Sequence, residues 1–256
     1  MLKKRVIPVL LYANGGLVKT VRFDLEQARS VGDPVKSVSV YNSQLADEIL
    51  LVNIERDKRG WRALAPLIER VSEVCFMPLT IGGGISNFED AAFLIARGAD
   101  KVVINTAAYA DKSLITRIAE RFGNQAVVIG IDARYDEMRK NYVPYADCGR
   151  RAVAVSIERH IADCAAAGAG EFFIQSIDAD GVMNGFDLPL LKLAVGVTTA
   201  PVIGCGGSGN YEQLRDAFLE TGVGALACGS LFNFSDSNPI RAKAFLSNYG
   251  LPFKKV

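Results

Sequence analysis

The stretch AVVIGIDAR, residues 126–134, decides the fold because it joins a buried strand to an acid. Six apolar or glycine residues precede Asp132, which is typical of a parallel strand that is covered on both faces. In α/β folds the carboxyl ends of such strands carry the chemistry. Asp132 is therefore the first candidate for a catalytic residue.

A second copy of this strand lies near the start of the chain. RVIPVLLYA, residues 5–13, aligns with it so that Arg5 falls on Ala126 and Leu11 falls on Asp132. One half of the chain thus carries an acid at this position, and the other half carries a leucine.

Strand-like apolar runs alternate with segments of helical period along the chain. The eight runs cover residues 6–11, 48–54, 77–82, 101–105, 127–132, 171–177, 201–205 and 225–228. Helical segments cover residues 60–74, 87–98, 112–122, 156–168, 187–197, 210–222 and 239–249. The segment 35–46 is a weaker helix candidate because its β-branched residues are poor helix formers. Eight alternations in 256 residues predict an α/β fold, the closed (β/α)8 TIM barrel, with an irregular insert at residues 135–152 on its mouth.

An internal repeat relates the two halves of the chain. PLTIGGGISN, residues 78–87, lines up with PVIGCGGSGN, residues 201–210, and GADKVVINT, residues 98–106, lines up with GVGALACGS, residues 222–230. A further alignment sets Glu48 on Glu171 and Asp57 on Asp180. We therefore expect a single domain over residues 1–256 that is formed by two homologous half-barrels, about 1–122 and 123–256.

The composition is that of an ordinary globular protein. Half of the residues are hydrophobic, and 29 Lys and Arg against 28 Asp and Glu leave a net charge of +1. This balance favours neither a nucleic acid nor a membrane as partner. The five cysteines form no CxxC pair and the amino terminus does not read as a signal peptide, as is typical of a cytoplasmic protein.

Two glycine-rich turns occupy matched positions of the repeat. The first contains Gly82, Gly83 and Gly84, with Asn105 and Thr106 after the next strand, and the second contains Gly206, Gly207 and Ser208, with Gly229 and Ser230. Bare backbone N–H groups at a helix start bind phosphate, although a tight βα turn also requires glycine. Two such clusters on opposite sides of one mouth predict a small-molecule substrate with a phosphate at each end.

SIDADG, residues 176–181, ends the sixth predicted strand with Asp178 and Asp180. The two acids are either a site for a metal or for sugar hydroxyls, or an Asx turn that caps a helix. We favour a substrate-binding role for Asp178, which is predicted on the catalytic face. The single histidine, His160, is expected at the surface or at a helix cap, and no residues have metal-ligand spacing, so neither a metal nor a cofactor is predicted.

Charged residues begin four strands at the opposite end of the predicted barrel, namely Arg5, Glu48, Lys101 and Glu171. Charges at these positions need ion pairing with one another. They form either a plug of salt bridges at the barrel bottom or a gate into its interior.

These motifs resemble one family over essentially the whole chain, the cyclase subunit of imidazole glycerol-phosphate synthase. The matching stretches are RVIP (5–8), GDPV (32–35), DEIL (47–50), IGGGI (81–85), GADKVVINTAA (98–108), IDA (131–133), GAGE (168–171), SIDADG (176–181) and CGGSG (205–209). The resemblance implies a duplicated half-barrel that takes ammonia from a glutaminase subunit.

The resemblance also implies the roles of individual residues. Asp132 would be the catalytic acid, and the two glycine turns would hold the phosphates of a bis-phosphate ribulosyl substrate. The four charges would gate ammonia on the amino-terminal face, where the glutaminase docks. Lys19 matches a residue that the family places near the substrate.

The chain departs from the family pattern at the predicted site. Leu11 and Asn53 stand where these cyclases carry aspartates, and Ala179 replaces an arginine. This pattern resembles second-copy members found with surface-polysaccharide genes, which implies that the ammonia serves to amidinate an acetamido sugar. Two hypotheses stay open: a working cyclase of histidine biosynthesis, and a barrel that is chiefly an ammonia conduit and allosteric partner. Leu11 argues against the first, since one general acid or base is commonly worth about 10² to 10⁴ in rate. The retained glycine turns and Asp132 argue against a bare conduit, so we favour a barrel that uses channelled ammonia on a different phosphorylated or nucleotide-linked acceptor.

Overall fold

The computed structural model describes residues 3–55 and 60–254 and contains twelve strands within them. They are β1 Arg5–Ala13, β2 Gly16–Val21, β3 Asp24–Gly32, β4 Ile49–Asn53, β5 Leu79–Gly82, β6 Lys101–Ile104, β7 Val127–Asp136, β8 Asn141–Ala146, β9 Arg151–Ala152, β10 Glu171–Ser176, β11 Val202–Cys205 and β12 Ala225–Cys228. All eight strands predicted from the apolar runs are among them.

Eight of these strands form a closed parallel sheet in the order β1-β4-β5-β6-β7-β10-β11-β12. The ring closes because β12 pairs with β1, with Arg5 opposite Ala225, and because β10 pairs with β7, with Glu171 opposite Val128. Helices connect the strands on the outside, so the predicted (β/α)8 TIM barrel is confirmed.

Eleven α-helices lie in the described part of the chain. They are α1 Pro34–Ser43, α2 Gly60–Ala63, α3 Ala65–Val74, α4 Phe88–Ile95, α5 Thr106–Ala110, α6 Ser113–Phe122, α7 Ile157–Ala166, α8 Leu188–Gly196, α9 Tyr211–Thr221, α10 Ser230–Phe234 and α11 Pro239–Ser247. None of these described helices is long and apolar enough to cross a membrane.

Helix α1 forms although the sequence made it the weakest helix candidate. Asp33 caps it by accepting a hydrogen bond from the Lys36 N–H, and Pro34 occupies the first turn. Val38 and Tyr41 are buried against the barrel. Capping and burial therefore outweigh the low intrinsic propensity of the β-branched residues.

The barrel strands are apolar on both faces, which explains their unbroken hydrophobic runs. One face of β1 places Val6 and Leu10 against the helices, and the other places Ile7 and Val9 in the barrel interior. Phe173 on β10 packs in the same interior cluster.

Two hairpins rise from the mouth, and the second occupies the insert that the sequence predicted to be irregular. β1 continues into the antiparallel strands β2 and β3, and β7 pairs with β8 and through it with β9. The first turn contains Asn14 and Gly15 with positive φ values of 54° and 80°. Asn-Gly in this conformation is a strong hairpin signal that the sequence reading missed.

Matched turns of the two halves have similar geometry. Asn87 caps α4 with φ −149° and ψ 174°, and Asn210 caps α9 with φ −153° and ψ 174°. Asn238 caps α11 with nearly the same angles, so the half-barrel repeat and the single domain stay predictions. Asp57, the repeat mate of Asp180, lies outside the described residues.

Candidate active site

Four charged side chains form a ring of ion pairs at the amino-terminal end of the barrel. Arg5 lies 2.6 Å from Glu48 and 3.1 Å from Glu171, while Lys101 lies 2.9 Å from Glu48 and 3.1 Å from Glu171. Each cation therefore contacts both anions. The structure brings together the four residues that the sequence singled out, in the mutual pairing that was expected.

An apolar interior begins directly above this ring. Glu48 is 2% exposed and accepts a hydrogen bond of 2.6 Å from the Thr80 hydroxyl. Both residues border a narrow interior space whose other walls are Ile7, Leu50, Val103, Val128, Phe173 and Ile203. A charge that lost its partner here would be costly, because removing one member of a buried pair destabilises a protein by about 3–5 kcal/mol.

Asp132 lies on the inner face of β7 at the opposite end of the barrel. The Asn105 side-chain amide donates a hydrogen bond of 2.9 Å to its carboxylate. Burial and the nearby Asp180 carboxylate raise the pKa of Asp132 to about 7, against the opposite effect of the Asn105 bond. A carboxyl that titrates near neutrality can both donate and accept a proton under physiological conditions.

Leu11 and Asp132 face each other across the mouth. Their strands β1 and β7 are four positions apart in either direction around the ring of eight. Leu11 packs on the apolar interior cluster, and Asn53 uses its side-chain oxygen to accept a hydrogen bond from the Glu55 N–H at 2.9 Å. Neither position offers a carboxyl to the mouth.

The first glycine turn follows β5, next to the end of β6. Gly83 has a φ of 88°, and a Cβ there would overlap the backbone of Asn53, so close backbone contact requires this glycine. Gly84 also has positive φ, and the Thr106 hydroxyl accepts a hydrogen bond of 3.1 Å from the Asp147 N–H. The predicted residues are thus brought together, and their binding of phosphate stays a prediction.

The second glycine turn lines a small cleft that opens to solvent. Gly206 and Gly207 follow β11, and Gly229 and Ser230 follow the adjacent β12. Gly207 has a φ of 102°, and a Cβ there would overlap the carbonyl group of Gly185.

Lys19 reaches into this cleft from β2. Its side chain is buried, and its amine donates a hydrogen bond to the Val9 carbonyl oxygen. A Cβ on Gly229 would lie 2.5 Å from the Lys19 nitrogen, so the amine sits against the second turn. Burial lowers the pKa of Lys19 to about 8, although the Asp180 carboxylate acts in the opposite direction.

The structure separates the two acids of SIDADG. Asp178 is exposed and accepts a hydrogen bond of 3.1 Å from the Tyr135 N–H, whereas Asp180 is 8% exposed and lines the cleft. The sequence reading favoured Asp178, because it placed that residue on the catalytic face. β10 ends at Ser176, so strand alternation does not predict the orientation of Asp178 or Asp180, which lie beyond it.

Gln175 and Thr20 also line the cleft and were missed by the sequence reading. Gln175 could have been found, since it continues the inward alternation of Glu171 and Phe173 along β10. Thr20 could not, because its position depends on the unpredicted hairpin.

His160 is neither a surface residue nor a cap, so that expectation is wrong. It is fully buried on α7, stacks on the Tyr109 ring at 4.0 Å, and lies 3.6 Å from the Cys164 sulfur. Burial, together with the charge of Lys112, lowers the pKa of His160 to about 4. The neutral imidazole therefore acts as a core side chain behind the barrel wall.

Fold and geometry define a class of protein, a (β/α)8 barrel with an ion-paired ring at one end and an acid-bearing mouth at the other. Comparison with protein-family models then identifies the family. The model described as "Histidine biosynthesis protein" matches residues 5–237. The chain belongs to this family.

Individual relatives are similar over their full length. The chain is 39% identical over 257 residues to the imidazole glycerol phosphate synthase subunit HisF of Hyphomonas neptunium, with 100% of both chains covered. It is 36% identical over 251 residues to the subunit of the same name from Staphylococcus carnosus, with 98% of both chains covered. The corresponding subunit of Geobacillus kaustophilus is 37% identical over 251 residues, which cover 98% of this chain and 99% of that protein. The resemblance to this family is thereby confirmed.

Proposed function

We propose that this chain is the synthase subunit of a glutamine amidotransferase of the imidazole glycerol-phosphate synthase type. The observation that carries the proposal is the pairing, in one barrel, of the charged ring with a near-neutral carboxyl at Asp132. The interior between them is apolar. An apolar interior favours neutral ammonia over ammonium, because a bare charge is costly to bury.

The first candidate reaction is that of the cyclase in histidine biosynthesis. It converts the phosphoribulosyl-formimino aminoimidazole carboxamide ribotide and ammonia to imidazole glycerol phosphate. The names of the relatives, imidazole glycerol phosphate synthase subunit HisF, favour this reaction. The positions of the glycine turns agree with a bis-phosphate substrate, since β5 and β11 lie four strands apart around the ring, on opposite sides of the mouth.

The second candidate is transfer of ammonia to another acceptor, and Leu11 is the observation that favours it. An alkyl side chain there cannot exchange protons with a substrate held against Asp132. The acceptor in this case is a phosphorylated or nucleotide-linked acetamido sugar, which becomes amidinated in surface-polysaccharide biosynthesis. The retained glycine turns would hold its phosphates.

One experiment separates the two acceptors. The purified chain is assayed with an ammonium salt and the histidine-pathway substrate, beside Asp132→Asn and Leu11→Asp. Full turnover that Asp132→Asn abolishes would establish the cyclase and exclude the second candidate. Trace turnover in the unmodified chain would favour the other acceptor, and an increase in Leu11→Asp would trace the deficit to the cleft that Leu11 lines. Asp136→Asn, on the rim of the mouth and paired with Arg139, controls for the loss of one carboxylate.

The proposed partner is a glutaminase subunit that docks on the amino-terminal face, over the ring. The four steps along the strand from Lys101 to Asn105 span about 13 Å at about 3.3 Å each, so ammonia would cross a short distance to the mouth. Lys101→Ala is expected to leave glutamine hydrolysis running while amination at the mouth falls. Calorimetry with a candidate glutaminase from the same genome tests docking, and the absence of a complex at micromolar concentration would refute this part.

A further inference from the structure

The cleft at the mouth contains a carboxyl to which the resemblance assigns no proton transfer. Among the described residues that line this cleft, Asp180 is the only acid. Its side chain shares the cleft with Leu11 and Lys19. Leu11 on β1 thus shares its cleft with a carboxyl that comes from the loop after β10.

Gln175 is a neighbour of both carboxyls, of Asp180 through its side chain and of Asp132 through its backbone. It pairs in register with Asp132 across β7 and β10, so the two backbones run about 4.8 Å apart. Its side-chain amide nitrogen lies 3.4 Å from Oδ1 of Asp180. After burial, Asp180 is also the main cause of the raised pKa of Asp132, as expected for two carboxyls that share one site.

The two oxygens of Asp180 have different partners. Oδ2 accepts hydrogen bonds from the Thr20 hydroxyl at 2.8 Å and from the Phe23 N–H at 3.3 Å, both on the hairpin. Oδ1 has only the long contact with Gln175 among the described residues. A residue that merely fastened the hairpin would use Oδ2, whereas Oδ1 keeps lone pairs for a ligand in the cleft.

We propose that Asp180 is the second proton-transferring carboxyl of the mouth and acts in place of an acid at position 11. This rests on the proposed use of ammonia, and the reacting group is a carbonyl carbon of the acceptor. Burial raises the pKa of Asp180, while the bonds from Thr20 and Phe23 and the nearby Lys19 act in the opposite direction. Asp132 has one such bond, from Asn105, so we take protonated Asp132 and ionised Asp180 as the starting state.

Protons and electrons balance in the addition step. The ammonia lone pair forms the C–N bond while the C=O π pair moves to oxygen. Asp132 donates its proton to that oxygen, and Asp180 accepts one proton from the nitrogen. A neutral carbinolamine results, with Asp132 ionised and Asp180 protonated.

The test measures ammonia-dependent turnover of the histidine-pathway substrate against pH in the full chain. Asp180→Asn keeps an oxygen that accepts from Thr20, so the hairpin contact is preserved. We expect this variant to lose about 10²-fold or more of the rate and one limb of the pH profile. Thr20→Val, which keeps the carboxyl, is expected to lose less than about tenfold and to keep both limbs. Asp136→Asn is expected to match the unmodified chain.

Two results would overturn the proposal: turnover of Asp180→Asn within about threefold of the unmodified chain, or a Thr20→Val variant that reproduces its loss and its pH profile. Absence of turnover in the unmodified chain instead excludes the cyclase acceptor. Carboxyl ¹³C NMR then tests whether Asp132 and Asp180 share one site. A lower titration midpoint of Asp132 in Asp180→Asn supports the shared site, and an unchanged midpoint overturns it.

Discussion

Replacement of Asp132 by asparagine should change how the stability of the barrel depends on pH. The pKa of this carboxyl is about 7 in the folded chain, whereas an unfolded aspartate titrates near about 3.9. The folded state thus prefers the protonated form. The contribution of Asp132 to the unfolding free energy is fully present below about pH 4, and it is lost as the pH rises towards about 7.

The difference of about 3 pKa units corresponds to at most about 4 kcal/mol. Because the side chain is partly exposed at the mouth, solvent screening reduces this limit, and we expect roughly 2 kcal/mol. Urea unfolding of the unmodified chain and of Asp132→Asn, at about pH 4 and about pH 8, measures the effect. The variant should gain stability relative to the unmodified chain at the higher pH.

Asp136→Asn serves as the matched control on the same strand, and its difference from the unmodified chain should not show this gain. The reasoning would be refuted if the difference in unfolding free energy between the unmodified chain and Asp132→Asn were the same at both pH values. Asp132 would then titrate as an exposed acid, and the case for it as a neutral proton donor would fail.

Three further predictions follow from individual contacts. Crystals grown with sulfate should show anions beside Gly83 and beside Gly207, and empty turns would remove the basis for a bis-phosphate substrate. Lys243→Ala should lower the unfolding free energy by about 3–5 kcal/mol in urea, because it leaves Asp47, 3.0 Å away and 6% exposed, without its cation. His160→Phe should lessen acid destabilisation between about pH 6.5 and pH 4, since the pKa of the buried imidazole is lowered to about 4; an unchanged acid transition would contradict this.

The barrel could be predicted from the sequence because its strands are covered on both faces. Burial on both sides produces the unbroken apolar runs, such as residues 127–131, and the repeat fixes how many there are. The ring could be predicted for a similar reason. Four charges at strand starts of a closed barrel meet at one end, so each finds a partner whatever the details of the loops.

The mouth was harder to predict because it depends on contacts between distant parts of the chain. Asp180 is held by Thr20, which is 160 residues away and lies on a hairpin that was not predicted from the sequence. Strand alternation gave no reason to prefer Asp180 over Asp178, and Asp180 is buried among the hairpin and Gln175. Periodic patterns thus predict strands, whereas the orientation of residues after a strand end is set by whichever element covers them.

Leu11 has consequences beyond the loss of one acid. An aspartate there would add a carboxylate to a cleft that already contains Lys19 and Asp180. It would raise the pKa of Lys19 from about 8 towards the usual value and make the anion of Asp180 less favourable. Leu11→Asp therefore changes the charge state of the whole cleft, and a gain of turnover in that variant has two possible sources. Measuring Leu11→Asp in the Asp180→Asn background separates them, because only a carboxyl at position 11 that itself transfers the proton can act without Asp180.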